Sequence, residues 1–150
     1  MSRRAEKYGV LRAVKFGVAG IIGFAVAEAI IIVGLFLING TLEAPSGYSS
    51  SPSLLAVDVV AFVIGVTVGF FVNERTTVKD LPSRESGSAG TAVRLAKYQG
   101  VYVVGNAITI GTQLALLAAF ALSPAIGVLV GAEVAYPVSY AISMRFVWKV

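Results

Sequence analysis

Long apolar runs alternate with short charged ones along this chain. The runs extend roughly from Phe16 to Ile38, Leu54 to Asn73, Gln99 to Leu122 and Ala125 to Met144. Each is near the ~20 residues that cross a ~30 Å hydrocarbon core at about 1.5 Å per residue. None contains a lysine or arginine: all twelve lie from Arg3 to Lys15, from Arg75 to Lys97, or from Arg145 to Lys149. The pattern predicts an all-α integral membrane protein with four transmembrane helices. A soluble bundle would need a charged stripe at helical period on each helix, and these runs have almost none. A cleaved signal peptide is not expected, because the first run is too long for one and no small-residue cleavage site followed by a soluble domain appears.

Loop charge sets the expected orientation. Asn39 to Ser53 carries no lysine or arginine, whereas the loop from Glu74 to Tyr98 carries five. Both termini and the middle loop, 74–98, are therefore expected on the cytoplasmic side of the cell membrane, in one fixed topology. The halves read as two copies of a helical hairpin. Lys15-Phe16 opens the first and Lys97-Tyr98 the second, while Arg75 and Arg145 close them, followed by Lys79 and Lys149. Both hairpins would start and finish inside, so the repeat is read as parallel, about an axis along the membrane normal. The outer connection of the first, Asn39 to Ser53, is expected to be flexible, with Ser53 capping the second span. That of the second turns within Ser123-Pro124. Asp80 to Gly90 reads as a disordered link. Asn39-Gly40-Thr41 matches a glycosylation sequon on the outer face, close to the bilayer.

Composition narrows the chemistry. The 150 residues, with net charge +4, leave no room for a folded soluble catalytic domain. The basic excess sits beside the expected cytoplasmic headgroups, where anionic membrane lipids account for it; no nucleic-acid partner is implied. With neither Cys nor His, disulfides, thiolate nucleophiles, imidazole bases and the usual transition-metal sites are excluded. The chain is expected not to be an enzyme and to need no cofactor.

Small residues recur every four positions, at Ala19, Gly23 and Ala27, at Ala61, Gly65 and Gly69, and from Gly127 through Gly131, Ala135 and Ser139 to Ser143. They predict close helix packing. Three acids lie inside the apolar runs: Glu28, Asp58 and Glu133. An ionisable group at mid-membrane costs about 2.5 to 3.5 kcal/mol, so each should meet a partner, water or a substrate. Asp58 continues the small-residue line of its span and also suits the N-terminal dipole there. Glu28 and Glu133 lie deeper and favour a polar cavity, helped by Pro137, which deprives the Glu133 carbonyl of its helical donor. Asn106 and Gln113 share a face of the third span with Thr109 between them, suited either to interhelical hydrogen bonds or to a polar cargo. Arg75 and Arg145 can hold a phosphate by forked bonds, with Arg12, Lys15, Arg94 and Lys97 adding to the field; topological anchoring, with Trp148 and Tyr98 as interface aromatics, is the competing role.

Together these residues resemble the GtrA-like family of small four-span membrane proteins. The resemblance rests on Lys15-Phe16-Gly17-Val18-Ala19-Gly20, on the acid Glu28, and on Phe70-Phe71-Val72-Asn73-Glu74-Arg75, which is similar to the family's Phe-x-x-Asn-Arg element. Tyr140 to Trp148 echoes it, with Ser143 in place of the second asparagine. Glu74 stands where an arginine is usual, and Thr76 and Val78 replace aromatics. The resemblance implies flipping of a polyprenyl-phosphate-linked monosaccharide for cell-surface polysaccharide or glycan synthesis. Arg75, Arg145, Lys15 and Lys97 would hold the phosphate. Glu28, Glu133, Asn106, Gln113, Asn73 and Asp58 would line a polar path for the sugar, with Glu28 or Glu133 protonated or paired during transit. A homodimer is expected, since a single small bundle shields the acids poorly. Two alternatives stand: an adaptor that recruits a glycosyltransferase, and a small proton-coupled exporter.

Overall fold

Four long helices carry the apolar runs in the computed structural model, which describes residues 3–40, 52–81, 87–120 and 124–149. They are α1, Arg3–Asn39; α2, Pro52–Thr76; α3, Ser88–Phe120; and α4, Pro124–Ile142, which continues into a π-helical turn at Ser143–Val147. All four are long and apolar enough to cross a membrane, and the protein is multi-pass. Large aliphatic and aromatic side chains lie exposed around them, including Ile21, Phe24, Leu37, Val59 and Leu129. A helix that is apolar on its outward faces belongs in lipid.

The chain forms two compact units, Met1–Lys79 and Asp80–Val150, each a helical hairpin. In the first, α1 and α2 run antiparallel, with Phe16, Ala19, Ala61 and Phe70 buried between them. The backbones touch at the small residues. A methyl group added to Gly23 would lie 2.5 Å from the Gly65 carbonyl oxygen, and one on Gly65 would lie 2.6 Å from that of Gly23. In the second, α3 and α4 meet in the same manner. A methyl on Gly131 would lie 2.5 Å from the Thr109 carbonyl oxygen, one on Gly105 2.7 Å from Ser139 Oγ, and one on Gly127 2.9 Å from Gln113 Cγ. Without a hydrophobic gain to be had between helices in lipid, such close approach is what holds a hairpin together.

The helices outrun the apolar runs at their charged ends. At 37 and 33 residues, α1 and α3 are ~55 and ~50 Å long, well beyond a ~30 Å core. At its other end α1 closes on Gly40, whose φ of +69° places its N–H 2.9 Å from the Phe36 carbonyl oxygen, an αL cap that favours glycine. Two expectations are corrected here. Ser53 does not precede α2 as its cap but lies within it, because Pro52 takes the first helical position, where its missing N–H costs nothing. Ser88 to Gly90 are not part of a disordered link but open α3: the Gly87 carbonyl accepts from both the Thr91 N–H and the Thr91 Oγ1, each at 3.1 Å, and starts the helix early. The rest of the outer connection, 41–51, the sequon's Thr41, the middle of the link, 82–86, and Ser123 lie outside the described residues.

Candidate functional site

At the charged end of the first hairpin, the C-terminus of α2 meets the start of the apolar part of α1. The last carbonyls of a helix have no intrahelical donor and carry the negative end of its dipole. Lys15 answers this, its Nζ donating to the Thr76 carbonyl at 3.4 Å. Arg75 is exposed in the same turn. It lies between Asn73 and Thr77, which are 0% and 1% exposed, and therefore projects from the opposite side of the chain. The buried pair is hydrogen-bonded, with Thr77 Oγ1 donating to Asn73 Oδ1 at 2.6 Å. The Asn73 carbonyl accepts two backbone bonds, from the Thr77 N–H at 2.9 Å and from the Val78 N–H at 3.1 Å. The second spans five residues and widens the turn that presents Arg75.

The second hairpin repeats this turn with different side chains. Ser143, 0% exposed, replaces Asn73, and its carbonyl accepts from the Trp148 N–H at 3.1 Å, again across five residues. Arg145 is the third residue of this π-helical turn and is exposed, as is Lys97. Turns of this kind are common at the C-terminal ends of helices. Ser143 Oγ has no hydrogen-bond partner in the structure. Tyr98, fully buried, donates its hydroxyl to the Tyr102 hydroxyl at 3.0 Å and packs 5.5 Å from the Trp148 ring. Arg94 is 8% exposed, and its Nη2 donates to Thr91 Oγ1 at 3.2 Å. Arg12 is half-buried on α1.

The mid-membrane polar residues divide between the hairpins. Glu28 and Asp58 are half-buried in the first, Asp58 on the line of buried Leu54 and Ala61. Glu133 is exposed on the face of α4 opposite its buried line of Gly131, Ala135 and Ser139, and so points away from α3. Gln113 lies over Gly127, and Thr109 donates its hydroxyl to the Gly105 carbonyl at 3.1 Å; both belong to the α3 face that meets α4, whereas Asn106 is exposed on its flank. The first hairpin also holds a groove of about 580 Å³ walled only by aliphatic residues and glycine, Val26, Ile30, Val33, Gly34, Val57 and Val60 among them. It offers nothing to a sugar or a phosphate.

Sequence reasoning missed the wide turns and the phenol pair. The turns have no sequence signature, but Tyr98 and Tyr102 stand four apart, the spacing of neighbours on a helix face. The Asn73 contact gives a direct test of the first turn. Thr77→Val keeps the shape and removes the donor to Asn73, and should destabilise the purified protein by about 1–3 kcal/mol. Ser143→Ala removes a hydroxyl without a partner and should leave thermal stability unchanged or slightly raised, both read from melting curves in one detergent.

The chain matches the family model described as "GtrA/DPMS, transmembrane domain" over residues 15–148. No curated protein and no solved structure matches it.

Proposed function

The chain belongs to the GtrA/DPMS transmembrane-domain family, and on that premise we propose that it flips a polyprenyl-phosphate-linked monosaccharide across the cell membrane for polysaccharide or glycoprotein glycan synthesis. The observation that carries this reading is the matched pair of hairpin ends. Each presents an exposed arginine, Arg75 or Arg145, from a wide turn that follows a buried polar residue. A guanidinium has five donors in a fixed fork, which suits a phosphate oxygen pair. Lys15 and Lys97 add charge at the corresponding ends, Lys15 with part of its charge already turned to the α2 carbonyls.

The positive-inside pattern of the loops supports these ends lying on the cytoplasmic side, where the phosphate would be taken up. The sugar would then cross beside the mid-membrane polar residues: Glu28 and Asp58 on the first hairpin, Glu133, Asn106 and Gln113 on the second. Glu133, pointing away from α3, needs a polar neighbour from beyond its own hairpin, and a second copy of the chain can supply one. The isoprenoid chain stays among lipid tails. No step calls for a nucleophile or a cofactor.

Protein-dependent transfer of a labelled polyprenyl-phosphate monosaccharide in proteoliposomes is the test. Absence of transfer with several sugars, together with co-purification of a glycosyltransferase, would favour an adaptor instead. Within the flippase reading, Glu28→Gln and Glu133→Gln should transport within about threefold of wild type. Leucine at either position should cost about tenfold or more, because it removes the hydrogen-bonding group offered to the sugar. Equal losses from Gln and Leu would count against a neutral or paired acid during transit.

A further inference from the structure

The internal repeat supplies its own control, since whatever packing requires should recur in both hairpins. Aligned on Lys15 with Lys97 and on Arg75 with Arg145, the hairpins share their buried seams. They differ in hydroxyl groups. Tyr98, Tyr102, Tyr136 and Tyr140 of the second hairpin stand where the first has Phe16, Gly20, Val66 and Phe70. Phe16 and Phe70 are as deeply buried as Tyr98, at 2%, 0% and 0% exposed, so the fold closes without phenols.

A phenol near the membrane is tolerated when its hydroxyl finds a partner. Tyr98 and Tyr102 satisfy one another at 3.0 Å, but each hydroxyl can donate once and accept twice, which leaves capacity on Tyr102, the half-buried member. Tyr136 lies within electrostatic reach of Tyr102 from α4. Trp148, whose ring packs against Tyr98, donates its backbone N–H to the carbonyl of Ser143, a buried residue whose hydroxyl has no partner. The cluster is uncharged and rich in groups that both donate and accept, and its Tyr98 and Tyr102 rings are tilted against each other with centroids 4.8 Å apart. That chemistry suits a sugar, whose hydroxyls exchange hydrogen bonds with phenols. It does not suit a phosphate, which the neighbouring cations serve.

We infer that the two hairpins have divided the work, the second alone carrying a sugar-recognising subsite at its charged end, with Tyr102 as its hydrogen-bonding residue. This rests on the lipid-linked sugar reading and adds to it a specificity determinant outside the mid-membrane polar residues.

Trp148 is the only tryptophan of the chain and touches Tyr98, so its fluorescence reports on the cluster. The full chain in nanodiscs is titrated with farnesyl phosphate and with farnesyl phosphate bearing glucose, galactose, mannose or N-acetylglucosamine. Wild type should bind at least one sugar-bearing probe more tightly than the bare phosphate. Tyr102→Phe should weaken that probe by about threefold to tenfold, the range for one lost hydrogen bond, and leave the bare phosphate unchanged. Retained sugar preference in Tyr102→Phe, or equal weakening of both probes, overturns the inference. Wild type that binds all probes alike overturns it while sparing the phosphate reading; wild type that binds none overturns both.

Discussion

Translocation of a labelled polyprenyl-phosphate monosaccharide is expected to fall about a hundredfold when Arg75 and Arg145 are both replaced by alanine, and about tenfold for either alone. A hydrogen bond to a charged group contributes about 1.5–3 kcal/mol, and each 1.4 kcal/mol is a factor of ten. Both side chains are exposed, so their removal leaves the packed seams intact, and melting temperature should hold while transport falls. Lysine at either position should restore charge but not the fork, and recover only part of the rate. Full transport by a well-folded double mutant would leave these arginines as topological anchors and remove the main support for a phosphate site. Lys15→Ala should behave differently, lowering stability as well as rate, because its ammonium is bound to the end of α2.

The other large effect concerns the seam of the first hairpin. Gly65→Leu is expected to separate α1 from α2, lowering stability by about 3 kcal/mol or more and abolishing transport. Overpacking a core with flexible side chains costs about 1–3 kcal/mol. Here the obstacle is backbone: a β-carbon at Gly65 lies 2.6 Å from the Gly23 carbonyl oxygen and 2.9 Å from Ala27 Cβ, so two helices must part. Gly100 and Gly111 are the controls, since a methyl at either meets nothing within 4 Å. Alanine there should be neutral or mildly stabilising. If Gly65→Leu melts with wild type, the contact between backbones is not what holds the hairpin.

Much of this was legible in the sequence because lipid imposes simple rules. Absence of lysine and arginine marked the four spans, and small residues every fourth position marked the faces that meet, from Ala61 through Gly65 to Gly69 and from Gly131 through Ala135 to Ser139. Membership of the GtrA/DPMS family followed from Lys15-Phe16 and the run ending at Arg75. The ends of the helices were less legible. Outside the apolar runs hydropathy is silent, and local bonds decide: Gly87 and Thr91 start α3 early, and Thr91 also accepts from Arg94. The wide turns at Asn73 and Ser143 depend on which carbonyl an N–H chooses, and neighbouring residue types do not encode that choice. Nor did the sequence separate Asn106 from Gln113, whose shared face is broad enough for one to lie over Gly127 while the other is exposed on the flank.

Each hairpin completes its seam within its own unit, α1 with α2 and α3 with α4. That arrangement has a consequence for biogenesis. Helices made in succession are the ones that pack, so α1 finds its mate as soon as α2 leaves the translocation channel and α3 as soon as α4 does, and neither hairpin waits for the other to be synthesised. The order of synthesis is then also the order of assembly.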